Sequence, residues 1–347
     1  MTEESLIASH LSLIAMATTG MTQNTGGNMA TSSSPRGIDF YFQITVLMIG
    51  VIGTAGNALV LYALVASKQH KTQVLIVHQN ALDLFTSVFM TVAYIARLCN
   101  IHLTGSVGYW LCTLIISDCL TWWGTVASAI NLSSITVERY LKVVHASWSQ
   151  TKLRRWMIYV AIATAWIVSF IGNIAVVFPT SYVVDGVCYS YAIWKNRAAR
   201  MTYYVWNFLS FYVINLFIFV FCYRRIVLVI RHQARVMASH AASASTATQN
   251  QYKFNQIQSN VTKTMIFVSA CYAILWLPAY IYFLVLILYP HLIPFSGIYY
   301  AILLLAYLYM CINPFIYATK LDPVREVLIR LMPWKKKTSG QASGSAT

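Results

Sequence analysis

Charge is what this chain has least of. Only 10% of its 347 residues are Asp, Glu, Lys or Arg, and only 9 of those are acidic, against about 25% charged residues in an ordinary soluble domain. Its 58% hydrophobic content is more apolar side chain than a water-soluble chain of this length can cover, so lipid is the solvent that fits. Proline is scarce too, at 8 residues, which lets long segments run without a helix break. No internal repeat is visible, so an inverted-repeat transporter gains no support. No HExxH, phosphate loop or converging Ser/His/Asp set occurs, and no enzyme activity is expected. His10, His70, His145, His232 and His240 fall in loops or tails, while His78, His102 and His291 stand alone.

What the chain does have is seven apolar runs, at 40–66, 74–98, 109–141, 155–178, 202–230, 261–288 and 297–318. Each meets the ~20 residues that a membrane-crossing helix needs. Porin-like strands would alternate over short segments, and these runs are long and unbroken. The expected fold class is an all-α membrane protein, a seven-transmembrane helix bundle with a short amphipathic helix after helix seven. Its parts are a disordered extracellular tail (1–38), the seven-transmembrane domain (39–319), an amphipathic cytoplasmic helix (320–333) and a basic, Ser-rich cytoplasmic tail (334–347). "LIASHLSLIAM" at 6–16 lacks the basic start of a signal peptide, so it reads as part of an uncleaved tail.

Basic residues set the expected orientation. With the N-terminus outside, only Arg36, Arg97, Lys195, Arg197 and Arg200 remain on the outer side, and the inner loops and tail hold most of the rest. That asymmetry fits the positive-inside rule and a multi-pass protein of the plasma membrane. The net charge of +15 then reports topology and anionic membrane lipid rather than nucleic acid, for which a basic soluble domain would be needed.

Polar groups within spans are costly in lipid and are functional candidates. Asp83 lies mid-span two, Asn57 in span one, Ser128 and Asn131 in span three, and Asn313 in span seven. The blander reading, hydrogen bonding between helices, suffices for Asn57 and Asn131, whereas an ionised Asp83 needs a partner, a cation or a proton. Pro278 and Pro314 each remove a backbone donor and bend their helices; they could serve as hinges or as static packing. Of the 7 cysteines, Cys112 and Cys188 could bridge in an oxidising exterior. Cys112–Cys188 is the expected pair, with Cys99 a rival partner. Cys119, Cys222, Cys271 and Cys311 read as apolar fillers.

In order along the spans stand Gly56–Asn57, Leu82–Asp83, Glu138–Arg139–Tyr140, Trp166, Trp276–Leu277–Pro278 and the "NPFIY" of Asn313 to Tyr317. Together they resemble the rhodopsin-like (class A) G-protein-coupled receptors over nearly the whole chain, with peptide receptors as a possible subgroup. The resemblance implies a switch in which Glu138 holds Arg139 by a charge-assisted hydrogen bond, and release of Arg139 lets it meet a heterotrimeric G protein. A lone snorkelling arginine would not account for Glu138 beside it. Tyr223 and Tyr317 resemble the tyrosines that close around the arginine, and Trp276 the toggle beneath the ligand pocket. Asp83, Ser128 and Asn313 resemble a sodium-binding set of oxygen ligands, and a bound sodium ion is the one cofactor implied. Tyr309 stands where the family offers a small polar residue.

Several positions depart from the family pattern. Asn215 replaces a proline of span five, and Ala129 and Tyr272 replace the residues that pack on it. Gln258 stands near where some relatives carry an acid that locks the arginine. Cys112 is two residues further from Arg139 than the family spacing, and no cysteine follows the last helix, so Arg325, Arg330 and Lys335 to Lys337 are left to hold anionic lipid.

The ligand is harder to read. Span seven has no lysine for a retinal Schiff base, and Tyr307 stands at that position. Thr121 stands where amine receptors carry an aspartate, with Asp118 about one turn further out. The pocket is expected among Arg97, Thr121, Trp122, Trp276, Tyr280 and Tyr307, with Tyr94, Trp123, Tyr203, Tyr204, Trp206 and Tyr282 divided between it and the lipid interface. Arg97, Lys195, Arg197 and Arg200 suggest a basic rim and an extracellular ligand that is a peptide or a small anion; solvated loop charge is the rival reading. A seven-helix transporter and a non-coupling scavenging receptor remain the alternative functions.

Overall fold

In lipid, a spanning segment must satisfy every backbone N–H and C=O internally, and an apolar helix does so. Seven helices of the computed structural model are long and apolar enough to cross a membrane: Gly37–Ala66, Val74–Leu98, Gly105–Val144, Arg155–Thr180, Arg197–Gln233, Ser259–Leu286 and Gly297–Lys320. They are called spans one to seven below. The structure describes residues 35–240, 246–288 and 296–331. The tail up to residue 34, His291 and Lys335 to Lys337 lie outside the described residues, as does the side chain of Gln258.

The spans are apolar on their outward faces as well as in the core, and the interior also holds polar side chains. Phe217, Ile274 and Phe315 are among the large apolar residues facing outward, while Asn57, Gln79, Asp83, Asn131 and Asn313 are all 0–1% exposed. The kink of span seven follows from one residue. Pro314 cannot donate to the carbonyl of Met310 four residues back, and the Asn57 amide takes that carbonyl at 3.2 Å. Gly56 permits the approach: a Cβ there would lie 3.1 Å from the Pro314 ring. Asn57 also accepts from Asn80 at 2.9 Å, so spans one, two and seven are joined through one side chain.

Span three is interrupted near its N-terminal end. Leu111–Ile116 is π-helical, and Asp118 follows in the left-handed region at φ 59°, a conformation Asp tolerates better than most residues. The longer Cys112-to-Arg139 spacing is taken up here, where a π turn takes in an extra residue and the left-handed Asp118 separates it from the α-helix beginning at Cys119. Cys112 meets Cys188 in a disulfide, and Cys99 is free and exposed.

Cys188 sits on a hairpin of β1 (Tyr182–Val184) and β2 (Val187–Tyr189), paired antiparallel with Val183 opposite Cys188. Asp185 and Gly186 form its two-residue turn at φ 50° and 77°, the left-handed pair that such hairpins need. Gly186 admits no side chain, since a Cβ would meet the ring of His102. After span seven, the helix Asp322–Leu331 turns Val324, Val327 and Leu328 to the bundle and leaves Arg325 and Arg330 exposed, an amphipathic division.

Candidate functional site

At the hairpin end of the bundle is a cavity of about 200 Å³. Of the pocket residues expected from sequence, Arg97, Trp122, Trp276, Tyr280 and Tyr307 line it, and Thr121 does not. Asp118, Trp122, Thr125 and Ala129 of span three face inward instead. Tyr94, Tyr203 and Tyr204 also line it, while Trp123 packs on Trp166, Trp206 is 63% exposed and Tyr282 packs on Tyr299. Ser190 and Tyr191, which follow β2, close over the cavity. Burial pushes the Tyr191 phenol well above its ordinary pKa, so it remains a hydrogen-bond donor at neutral pH.

The basic rim needs correction. Arg97 is 7% exposed and bonded to Asp118 at 2.5 Å, donates to the Ile116 carbonyl at 2.6 Å and lies 4.5 Å over the Tyr94 ring. A charged guanidinium in apolar surroundings must be paired, and the carbonyl at the end of the π segment adds a second acceptor for the same terminal nitrogen. Lys195 and Arg197 are exposed and Arg200 is half-buried. Among the described residues, Arg97 and Asp118 are the only charged ones lining the cavity, and they neutralise each other.

Trp276 stands in the cavity wall, edge-on to Trp122 at 5.9 Å between ring centres and beside Tyr272 and Tyr280. Deeper in the bundle, Asp83 receives Ser128 Oγ–H at 2.9 Å and a Gln79 amide N–H at 3.3 Å on one oxygen, and an Asn313 amide N–H at 2.8 Å on the other. Asp83, Ser128 and Asn313 therefore do come together. The donor set, however, does not suit sodium. A hard cation takes oxygen lone pairs, and here two amides turn N–H groups to the carboxylate.

At the opposite end of span three, Glu138 and Arg139 are 5% and 1% exposed. Their closest approach is 3.7 Å, an ion pair but too long for the hydrogen bond expected from sequence. Glu138 is instead bonded to Lys142, one turn on, at 2.6 Å. Tyr140 meets His145 at 3.2 Å. The Tyr223 hydroxyl is shared between Thr136 at 2.9 Å and Ser269 at 3.0 Å, and Tyr317 is wholly buried.

Between the cavity and this end, the proline departure has a structural answer. Span five is π-helical over Phe208–Val213. The Asn215 amide donates to the Phe211 carbonyl at 2.7 Å, the Tyr272 hydroxyl donates to the same carbonyl at 2.5 Å, and Ser133 donates to Asn215 at 2.7 Å. Spans three, five and six are thus joined by hydrogen bonds. Sequence reasoning missed the Arg97–Asp118 pair and the parts played by Gln79, His78 and Tyr272. Gln79 had a signal, since it lies four residues before Asp83 and so on the same helix face.

A family model described as "7 transmembrane receptor (rhodopsin family)" matches residues 56–317. Among similar proteins, somatostatin receptor type 3 of Mus musculus is 24% identical over 311 residues, covering 84% of this chain and 68% of the relative. Adenosine receptor A3 of Ovis aries is 26% identical over 299 residues, covering 83% and 89%. Galanin receptor type 1 of Rattus norvegicus is 22% identical over 289 residues, covering 77% and 75%. The crystal structure of squid rhodopsin superposes with a TM-score of 0.69 at 18% identity, covering 90% of this chain and 91% of the other.

Proposed function

Because the chain belongs to the rhodopsin family of seven-transmembrane receptors, we propose that it is a signalling receptor of the plasma membrane with its N-terminus outside and its C-terminus in the cytoplasm. A ligand entering the aromatic cavity shifts an equilibrium between two packings of the bundle, and the shift opens the far end, around Arg139, to a heterotrimeric G protein. The observation that carries this reading is the run of buried polar and aromatic contacts between the two ends. Trp276 of the cavity wall touches Tyr272, Tyr272 bonds the Phe211 carbonyl, and Asn215 carries the connection to Ser133 in span three. Six residues beyond Ser133 is Arg139. A transporter would need a continuous polar path, whereas the cavity wall at this level is aromatic.

The ligand we propose is compact, aromatic and of little net charge, or a peptide that inserts one such residue. Support comes from the roughly 200 Å³ cavity, from the tyrosine-rich lining and from the Arg97–Asp118 pair. A small anion would have to compete with Asp118 for Arg97, so an anionic group is better suited to Arg197 and Lys195 outside. The adenosine, somatostatin and galanin receptors named above bracket this range, from nucleoside to peptide. Sodium is not part of the proposal.

The test is nucleotide exchange by reconstituted receptor with each heterotrimer class, screened against neutral aromatic molecules and short peptides. An activating compound should lose its effect when Trp122→Ala reshapes the cavity wall. Activation insensitive to Trp122→Ala and to Tyr280→Ala would put the ligand elsewhere and refute the cavity assignment.

A further inference from the structure

The hydrogen bonds behind Asp83 have directions that are fixed in turn. The Trp166 indole can only donate, so its 2.8 Å contact makes Nε2 of His78 the acceptor. The proton of neutral His78 is then on Nδ1, which donates to Oδ1 of Asn131 at 3.0 Å. With its oxygen engaged, Asn131 presents its NH2 to Oε1 of Gln79 at 2.8 Å and to the Leu75 carbonyl at 3.0 Å. Gln79 is left with its own NH2 facing Ser128 Oγ and Asp83. One indole in span four orients three side chains in succession, on spans two, three and two again.

This matters for what Asp83 can bind. Reversing the Gln79 amide to offer its oxygen would set its NH2 against the NH2 of Asn131. Reversing Asn131 as well would set an NH2 against the Nδ1–H of His78, and the conflict ends only at Trp166. Gln79 and Asn131 are both fully buried, so the mispaired hydrogens would carry the desolvation cost of buried, unsatisfied groups. On the other side, Asn313 also offers Asp83 its nitrogen. Three donors from Gln79, Ser128 and Asn313 then balance the carboxylate, and charge-assisted hydrogen bonds of this kind are about twice as strong as neutral ones.

We propose that the Asp83 centre is closed to sodium, that the Gln79 carboxamide takes the cation's place, and that Trp166 sets this state through His78 and Asn131. Gln79 and Trp166 are positioning residues in this account, and neither touches the ligand cavity. The proposal is independent of ligand and transducer, so it is tested without either.

The experiment is the thermal unfolding midpoint of the purified full-length receptor in NaCl, KCl and choline chloride at about 0.15 M each, a physiological ionic strength. The wild type should show the same midpoint in all three salts. Gln79→Leu, which removes the amide while keeping the bulk, should gain several degrees in NaCl alone. Trp166→Phe, which removes the donor that starts the chain and keeps an aromatic ring against Phe85 and Trp123, should respond in the same sense and by less, and it covers the case in which Gln79→Leu does not fold. A sodium-specific rise in the wild type that Asp83→Asn abolishes overturns the proposal. Indifference to sodium in both variants equally overturns the role given to Gln79.

Discussion

Replacing Asp118 with Asn tests the buried ion pair with little else changed. Asn is close in size and tolerates the left-handed backbone at this position, where φ is 59°. The change removes one charge and leaves Arg97 buried at 7% exposure, still bonded to the Ile116 carbonyl at 2.6 Å and still over Tyr94. Breaking a buried pair by removing one partner costs about 3–5 kcal/mol. Asn can still accept one hydrogen bond from the guanidinium, so the low end, ~3 kcal/mol, is expected. At roughly 2–4 °C per kcal/mol for a chain of some hundreds of residues, the midpoint should fall by on the order of 10 °C. Arg97→Met alone should cost a similar amount, because it strands the carboxylate. The double variant Arg97→Met/Asp118→Asn should cost about as much as either single change rather than their sum, a coupling of about 2–3 kcal/mol. The assay is thermal unfolding of the four proteins in one detergent. Additive losses, or an Asp118→Asn protein within about 0.5 kcal/mol of wild type, the scatter of ordinary surface changes, would refute the account of Arg97.

Asn57→Leu should free the Met310 carbonyl that Pro314 leaves without a donor, costing about 1–3 kcal/mol by thermal unfolding; a neutral result would mean that another group caps it. Tyr272→Phe removes the hydroxyl on the Phe211 carbonyl and should cost about 1 kcal/mol, while altering the dependence of nucleotide exchange on an activating ligand. Unchanged stability and exchange would remove Tyr272 from the link between spans five and six. Glu138→Gln removes the charge that holds Lys142 at 2.6 Å and that faces Arg139 at 3.7 Å, so ligand-free exchange should rise; a fall would show that Glu138 supports the coupled state instead.

The spans were legible because each is a long apolar run that only a helix can carry through lipid. The disulfide Cys112–Cys188 was the expected pair, although Cys99 stood as a rival that only the structure sets aside. Harder to read was the π segment at Leu111–Ile116, which holds neither Gly nor Pro and looks like any apolar helix. Just beyond it the left-handed Asp118 stands against Arg97, which position alone assigned to the rim, and Trp122 rather than Thr121 lines the cavity. The Asp83 cluster shows the same limit. Sequence located Asp83, Ser128 and Asn313, but whether they present oxygens or amide hydrogens depends on hydrogen bonds that reach back to Trp166, two spans away. Glu138 and Arg139 were recognised as neighbours, yet the nearer partner of Glu138 is Lys142, one helical turn on.

The central claim is that this receptor couples to a G protein through Arg139. It is tested most directly by ligand-free nucleotide exchange with each heterotrimer class, measured beside Arg139→Ala at matched, folded receptor. The account predicts exchange above the receptor-free rate with at least one class and its loss in Arg139→Ala. Exchange that persists undiminished in Arg139→Ala would contradict it.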